Sequence, residues 1–171
     1  MFYQCIKCDS RKRAPLEKQL GKVFMSKKNQ EEEMALAALY ESSIAGLTRA
    51  EKRHKTLPIL LVEKDFTDVV RQTGEIYNFC LSGLLHFSGI DSGGTADLKE
   101  MISLLDENSA RMPKLVKENM RRLRDTTQRL VAKIERENVP DAISKEDAVR
   151  AMDWADKIVL LAQNVIKDYD D

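Results

Sequence analysis

The chain has 171 residues, 43% of them apolar and 33% charged, with 28 Lys and Arg against 28 Asp and Glu. That is enough length and apolar content for a domain with a buried core, which excludes a disordered tail, and the cancelled charge excludes an overall nucleic-acid polyelectrolyte. Seven Gly and four Pro leave long stretches without a breaker, and 6% aromatic residues are thin for a β-rich fold.

The zero sum hides a gradient. Residues 1–28 carry eight Lys or Arg and two acids, whereas residues 141–171 carry eight acids and four bases. The first stretch shows no sustained apolar period and reads as a basic N-terminal arm. It is either a disordered tail or upstream sequence ahead of a start at Met25, because Met25-Ser26-Lys27-Lys28 looks like a bacterial start and Gly21-Lys22 can be encoded by a purine-rich ribosome-binding stretch. The arm lacks the apolar core of a secretory signal, and no apolar run is long enough to span a membrane. Three cysteines cannot all pair internally, so the cytoplasm is the expected compartment. Cys5-Ile6-Lys7-Cys8 is a lone CxxC. Structural zinc needs four ligands, and Cys80, His54 and His86 are scattered, so no metal is expected.

The first helix is expected from about Asn29 to Arg53, with Met34, Leu36, Ala37, Tyr40, Ile44 and Leu47 as its apolar contacts and Gly46 as a weak point. Its end is basic, as a helix C-terminus prefers. Thr56–Val62 reads as a connector or a helix start, with Pro58 able to open a helix. The second helix is expected over Glu63–His86. Phe66, Val70, Thr73, Tyr77, Cys80, Leu84 and Phe87 recur at alternating four- and three-residue steps, a seam that wants another helix along it. Val69 and Ile76 widen that face, and Gly74 and Gly83 permit close approach of a neighbour.

Ser88–Gly94 is the clearest loop, Thr95 an expected N-cap, and Ala96–Asn108 a short third helix with the stripe Leu98, Met101, Ile102 and Leu105. Pro113 suits the first turn of a fourth helix running to Asn138 before Pro140. Its seam is Val116, Met120, Leu123, Thr127, Leu130 and Ile134. Ser144-Lys145-Glu146-Asp147 resembles a capping box opening a last helix, whose small and apolar face runs from Ala148 to Ile166. Trp154 sits off that stripe, either covering the core edge or anchoring a partner.

The predicted fold is all-α: an antiparallel up-and-down bundle of four to five helices with coiled-coil-like packing, forming a single domain over residues 29–171. The second, fourth and fifth helices make the main core, the third bridges them, and the first is the element most apt to detach or exchange between subunits.

Four stretches carry candidate chemistry. Arg49 and His54, separated by four residues, resemble the short motif of the all-helical HEPN ribonucleases, in which paired Arg and His handle the scissile phosphate. This stretch departs from the family in its charged surroundings and early position, and a basic helix end accounts for it. Acid pairs at Asp65/Asp68, Asp97/Glu100 and Asp153/Asp156 have the spacing with which all-helical nucleotide pyrophosphohydrolases hold Mg²⁺, provided they point inward. Gly89, Gly93 and Gly94 lack the strand and Lys of a phosphate loop. On the basic fourth helix Lys114, Lys117, Arg121 and Arg124 share one face and are the candidate nucleic-acid contacts. Thr56–Val70 is similar to a stretch of phage terminase small subunits, which implies DNA packaging.

The favoured function is a non-enzymatic small helical binding or scaffold protein, self-associating or partner-binding, as in an accessory protein of a phage or mobile element. Expected partners are another copy or another protein, with nucleic acid as the alternative; no membrane, small-molecule substrate, cofactor or catalytic residue is expected. A small helical ribonuclease or nucleotide hydrolase is the enzymatic competitor.

Overall fold

A computed structural model describes residues 27–95, 97–111, 114–136 and 143–167, so most of the expected arm, with Cys5, Cys8 and Met25, lies outside the described residues, as do Pro113 and Pro140. The elements are α1 (Lys27–His54), α2 (Leu57–Glu63), α3 (Phe66–Phe87), α4 (Leu98–Glu107), a 3₁₀ turn (Ser109–Arg111), α5 (Lys114–Ile134) and α6 (Lys145–Ile166). Among the described residues there is no strand, and the helices pack as an antiparallel all-α bundle. Leu36–Asp171 forms one compact unit, and Lys27–Ala35, which precedes it, is helical.

The bundle is built on α3. Its seam residues Val70, Thr73, Tyr77, Cys80 and Leu84 are buried, together with Val69 and Ile76. The most extensive packing is α3 on α6, where Ala148, Ala151, Ala155 and Ala162 let the backbones approach and Ile158, Val165 and Ile166 fill the space between. Leu123, Thr127 and Leu130 of α5 are buried as the second seam requires, and Leu98, Met101, Ile102 and Leu105 seat α4 against α3 and α5. Side chains of Val116 and Met120 lie outside the described residues.

α1 is more firmly held than its sequence suggests. Leu47, Ala50 and Ser43 are buried, and Gly46 is no mere weak point. A Cβ on Gly46 would lie 3.0 Å from the Phe79 carbonyl oxygen, and one on Gly83 would lie 3.2 Å from that of Ser43. Two glycines therefore face each other where α1 crosses α3, letting the backbones touch.

Three boundaries differ from expectation. Glu63 ends α2 rather than opening α3. Lys64 adopts a left-handed conformation (φ 63°), and Asp65 caps the next helix by accepting a hydrogen bond from the Asp68 N–H at 3.1 Å. Pro58 sits in the first turn of α2, so Thr56–Val62 is a helix start. α4 begins at Leu98, because Asp97 takes the capping role expected of Thr95, accepting from the Lys99 N–H at 2.8 Å. α5 closes at Ile134, short of Asn138, with a turn in which the Arg136 N–H donates to Lys133 at 3.0 Å. The Ser144 capping box is present as read: Asp147 N–H donates to Ser144 Oγ at 3.1 Å, and Ser144 N–H donates back to Asp147 Oδ2 at 3.4 Å.

Candidate functional site

On α5, residues four and seven apart share a face, which places Arg129, Lys133 and Arg136 in one line. On α6, Arg150 and Trp154 are likewise one turn apart. The two lines meet in an open cleft of about 350 Å³, lined by these five residues and Ala132. Lys133 pairs with Asp147 at 2.5 Å, and that hydrogen bond, reinforced by the capping contacts to Ser144, holds the Asp147 carboxyl below its usual range against the opposing effect of partial burial. Arg129, Arg136 and Arg150 are exposed, and among the described residues none of them is in an ion pair. Trp154 is only 6% exposed, so it covers the core edge and walls the cleft, the first of its two expected roles.

A second open cleft, of about 390 Å³, lies where the end of α1 meets α6, lined by Glu51, His54, Lys55, Asp156, Val159, Leu160 and Gln163. His54 Nε2 lies 2.5 Å from Asp156 Oδ1. Glu51 Oε1 accepts from Gln163 Nε2 at 2.8 Å and Lys167 Nζ at 2.5 Å. Burial pushes the Glu51 carboxyl up, but these two hydrogen bonds and the nearby lysine charges outweigh it, leaving it below its ordinary value. Arg49 is exposed and does not line this cleft. Five residues on a helix turn it about 140° away from His54. The Arg–His motif therefore does not converge within the chain, whereas His54 and Asp156 do.

The acid pairs are spent on caps and on pairing, Asp156 with His54 and the others locally. Asp65 caps α3; Asp68 accepts from Arg71 and, at 2.8 Å, from Gln72. Asp97 caps α4, and Glu100 accepts from Thr95 Oγ1 at 2.6 Å. Asp153 pairs with Lys157 at 2.5 Å. Among the described residues no three His, Cys, Asp or Glu side chains gather as a metal site. In the loop after α3, Gly89, Gly93 and Gly94 all have positive φ, and Gly93 N–H donates to Asp91 Oδ1 at 2.9 Å, which is turn geometry.

Of the four candidate nucleic-acid contacts, Lys117 is exposed and Arg124 is hydrogen-bonded to Asp106 of α4. The side chains of Lys114 and Arg121 lie outside the described residues, although both belong to α5. The residues that do assemble, Arg129, Arg136 and Arg150, stood outside that group. The signal for two of them was in the sequence: Arg122, Arg129 and Arg136 recur every seven residues. Arg150 comes from another helix and only the packing of α5 on α6 supplies it. Among the described residues no helix is long and apolar enough to cross a membrane. No protein-family model, curated protein or solved structure matches the chain.

Proposed function

We propose that this chain works by binding rather than by catalysis, as a small helical protein that presents open helix faces to a macromolecular partner. The observation that carries this reading is the form of its two clefts, which are open and lined mainly by charged side chains: in one, Glu51 is tied to Gln163 and Lys167, and in the other Lys133 is tied to Asp147 while three arginines stand exposed. A reaction centre would bring a nucleophile or a base together with groups that stabilise developing charge. His54 and Asp156 form a pair, but both are solvent-accessible and no hydroxyl or thiol lines the cleft they share. The partner is a second copy, another protein or nucleic acid, as suits an accessory protein of a phage or mobile element. Nucleic acid is favoured by α5, where seven Lys or Arg stand against two acids over residues 114–134.

The competing ribonuclease or nucleotide-hydrolase reading is tested by incubating the purified protein with RNA and with nucleoside triphosphates, beside Arg49→Ala and His54→Ala variants. No turnover is expected. Turnover that both single substitutions abolish would overturn the binding reading.

A further inference from the structure

We propose that Arg122, Arg129 and Arg136, running along α5 and its closing turn and joined by Arg150 of α6, form a docking stripe for the phosphate backbone of duplex nucleic acid. This rests on the binding reading above and names the partner class and the site.

Seven residues advance a helix by about 10.5 Å and return it to nearly the same face, so Arg122 and Arg129 of α5, with Arg136 in its closing turn, form a line about 21 Å long. All three are exposed, as is Arg150, which borders the same cleft as Arg129 and Arg136. Among the described residues none of the four guanidinium groups is in an ion pair, unlike Arg53, Arg71 and Arg124, which are paired with Glu75, Asp68 and Asp106. Lys133 lies within the cleft but is held by Asp147, so the pair is close to neutral and leaves the arginines as the cleft's free cations. Exposed charges about 10 Å apart repel one another only weakly, so these guanidinium groups need no partner to stay on one face, and together they offer a polyanion a free, positive surface.

The length of the stripe separates ligand classes. A lone phosphate or nucleotide would meet one or two of these groups. A line of about 21 Å spans about six base-pair steps along a duplex axis, at 3.4 Å per step, long enough to reach phosphates of both strands across a groove. The stripe also lacks what a single strand needs. Sequence-tolerant single-strand binding uses aromatic faces on which bases stack, and the aromatic residue lining this cleft, Trp154, is only 6% exposed, too little to offer a stacking face. Guanidinium groups without a stacking platform read backbone charge, not bases, so binding is sequence-independent.

Fluorescence anisotropy with a labelled 20-base-pair duplex tests this. Four phosphate contacts predict a log–log salt slope near about −3.6, so affinity falls roughly a hundredfold between 50 and 200 mM salt. Replacing all four (Arg122→Gln, Arg129→Gln, Arg136→Gln, Arg150→Gln) should flatten the slope and weaken binding at 50 mM by about a hundredfold or more, with helicity retained by circular dichroism. A control that removes as many cations elsewhere (Lys52→Gln, Lys64→Gln, Arg71→Gln, Lys157→Gln) should stay within about threefold of the parent, as a change in distant net charge alone would give. The inference is overturned if the control weakens binding as much as the stripe variant. It is overturned equally if a Lys117→Ala, Arg121→Ala, Arg124→Ala variant loses binding while the stripe variant keeps it, or if single-stranded DNA of the same length binds more tightly than the duplex. A parent protein that ignores duplex DNA also overturns it while leaving the binding reading intact, since that reading falls only to turnover lost in Arg49→Ala and His54→Ala.

Discussion

Each of the two seams buries a threonine, and the two meet different fates. Thr127 Oγ1 donates to the Leu123 carbonyl at 2.7 Å, whereas the Thr73 hydroxyl is buried with no hydrogen-bond partner among the described residues. A buried hydroxyl without a partner keeps its desolvation cost, and valine has the same shape without that cost. Thr73→Val should therefore stabilise by about 1 kcal/mol, and Thr127→Val should destabilise by about 0.5–1.5 kcal/mol, both read from urea unfolding midpoints. Asp147 offers a second test. Its carboxyl titrates lower folded than unfolded, so across that window the unfolded chain binds more protons and stability rises with pH. Its contribution is complete above the ordinary value of 3.8 and is lost as the pH falls through the lower folded value. Asp147→Asn should cost about 1 kcal/mol at pH 7, chiefly through the lost pairing with Lys133, since an amide oxygen can still accept from the Ser144 N–H, and the deficit should shrink in unfolding curves taken near pH 3. A deficit that stays constant with pH would mean that the charge of Asp147 contributes nothing.

At the scale of elements, the α1–α3 crossing is governed by Gly46 and Gly83. Alanine gains about 1 kcal/mol over glycine in an exposed helix interior. At Gly46 the new methyl would stand 3.0 Å from a backbone carbonyl, which cannot turn aside without separating the helices. Gly46→Ala should thus be a net loss of about 1 kcal/mol or more despite the better helix former. Gly74→Ala makes the contrast: its methyl meets the Ile134 Cδ1, the far end of a flexible side chain, so thermal stability should be close to the parent or above it. Period and capping chemistry made most elements legible, because each depends on local spacing. The seams of α3 and α5 and the Ser144 box needed nothing from elsewhere in the chain. The break at Lys64 was less visible, since a left-handed lysine carries no compositional mark; Asp65 three residues before Asp68 was its only trace. Thr95 and Asp97 competed for one cap, and both are good cap residues. The role of Gly46 depended on a second glycine 37 positions away, which no local pattern reveals.

For the molecule as a whole, what was hidden follows from the same division. The basic character of α5 is a property of one segment and could be read directly. Which of its cations stay free depends on α4, whose Asp106 takes Arg124, and on α6, whose Arg150 extends the stripe. The standing of α1 is likewise a tertiary matter, since its sequence alone suggested a helix apt to detach. Cys80 can report on this. It is fully buried at the middle of α3, and burial, with the charge of Glu51 on α1, pushes its thiol well above the ordinary range. In a chain carrying Cys5→Ser and Cys8→Ser, Cys80 should react with a thiol reagent only through opening of the bundle. A stability of about 5 kcal/mol or more would slow that reaction by about a thousandfold to ten-thousandfold or more relative to the unfolded chain. If α1 is held by its glycine crossing, the rate should rise steeply with urea and be several-fold faster in Gly46→Ala, following the stability lost. A fast rate that ignores low urea would mean instead that α1 lifts away while α3 and α6 stay packed, which would make the α1 face the mobile part of the protein and an exchangeable one between copies.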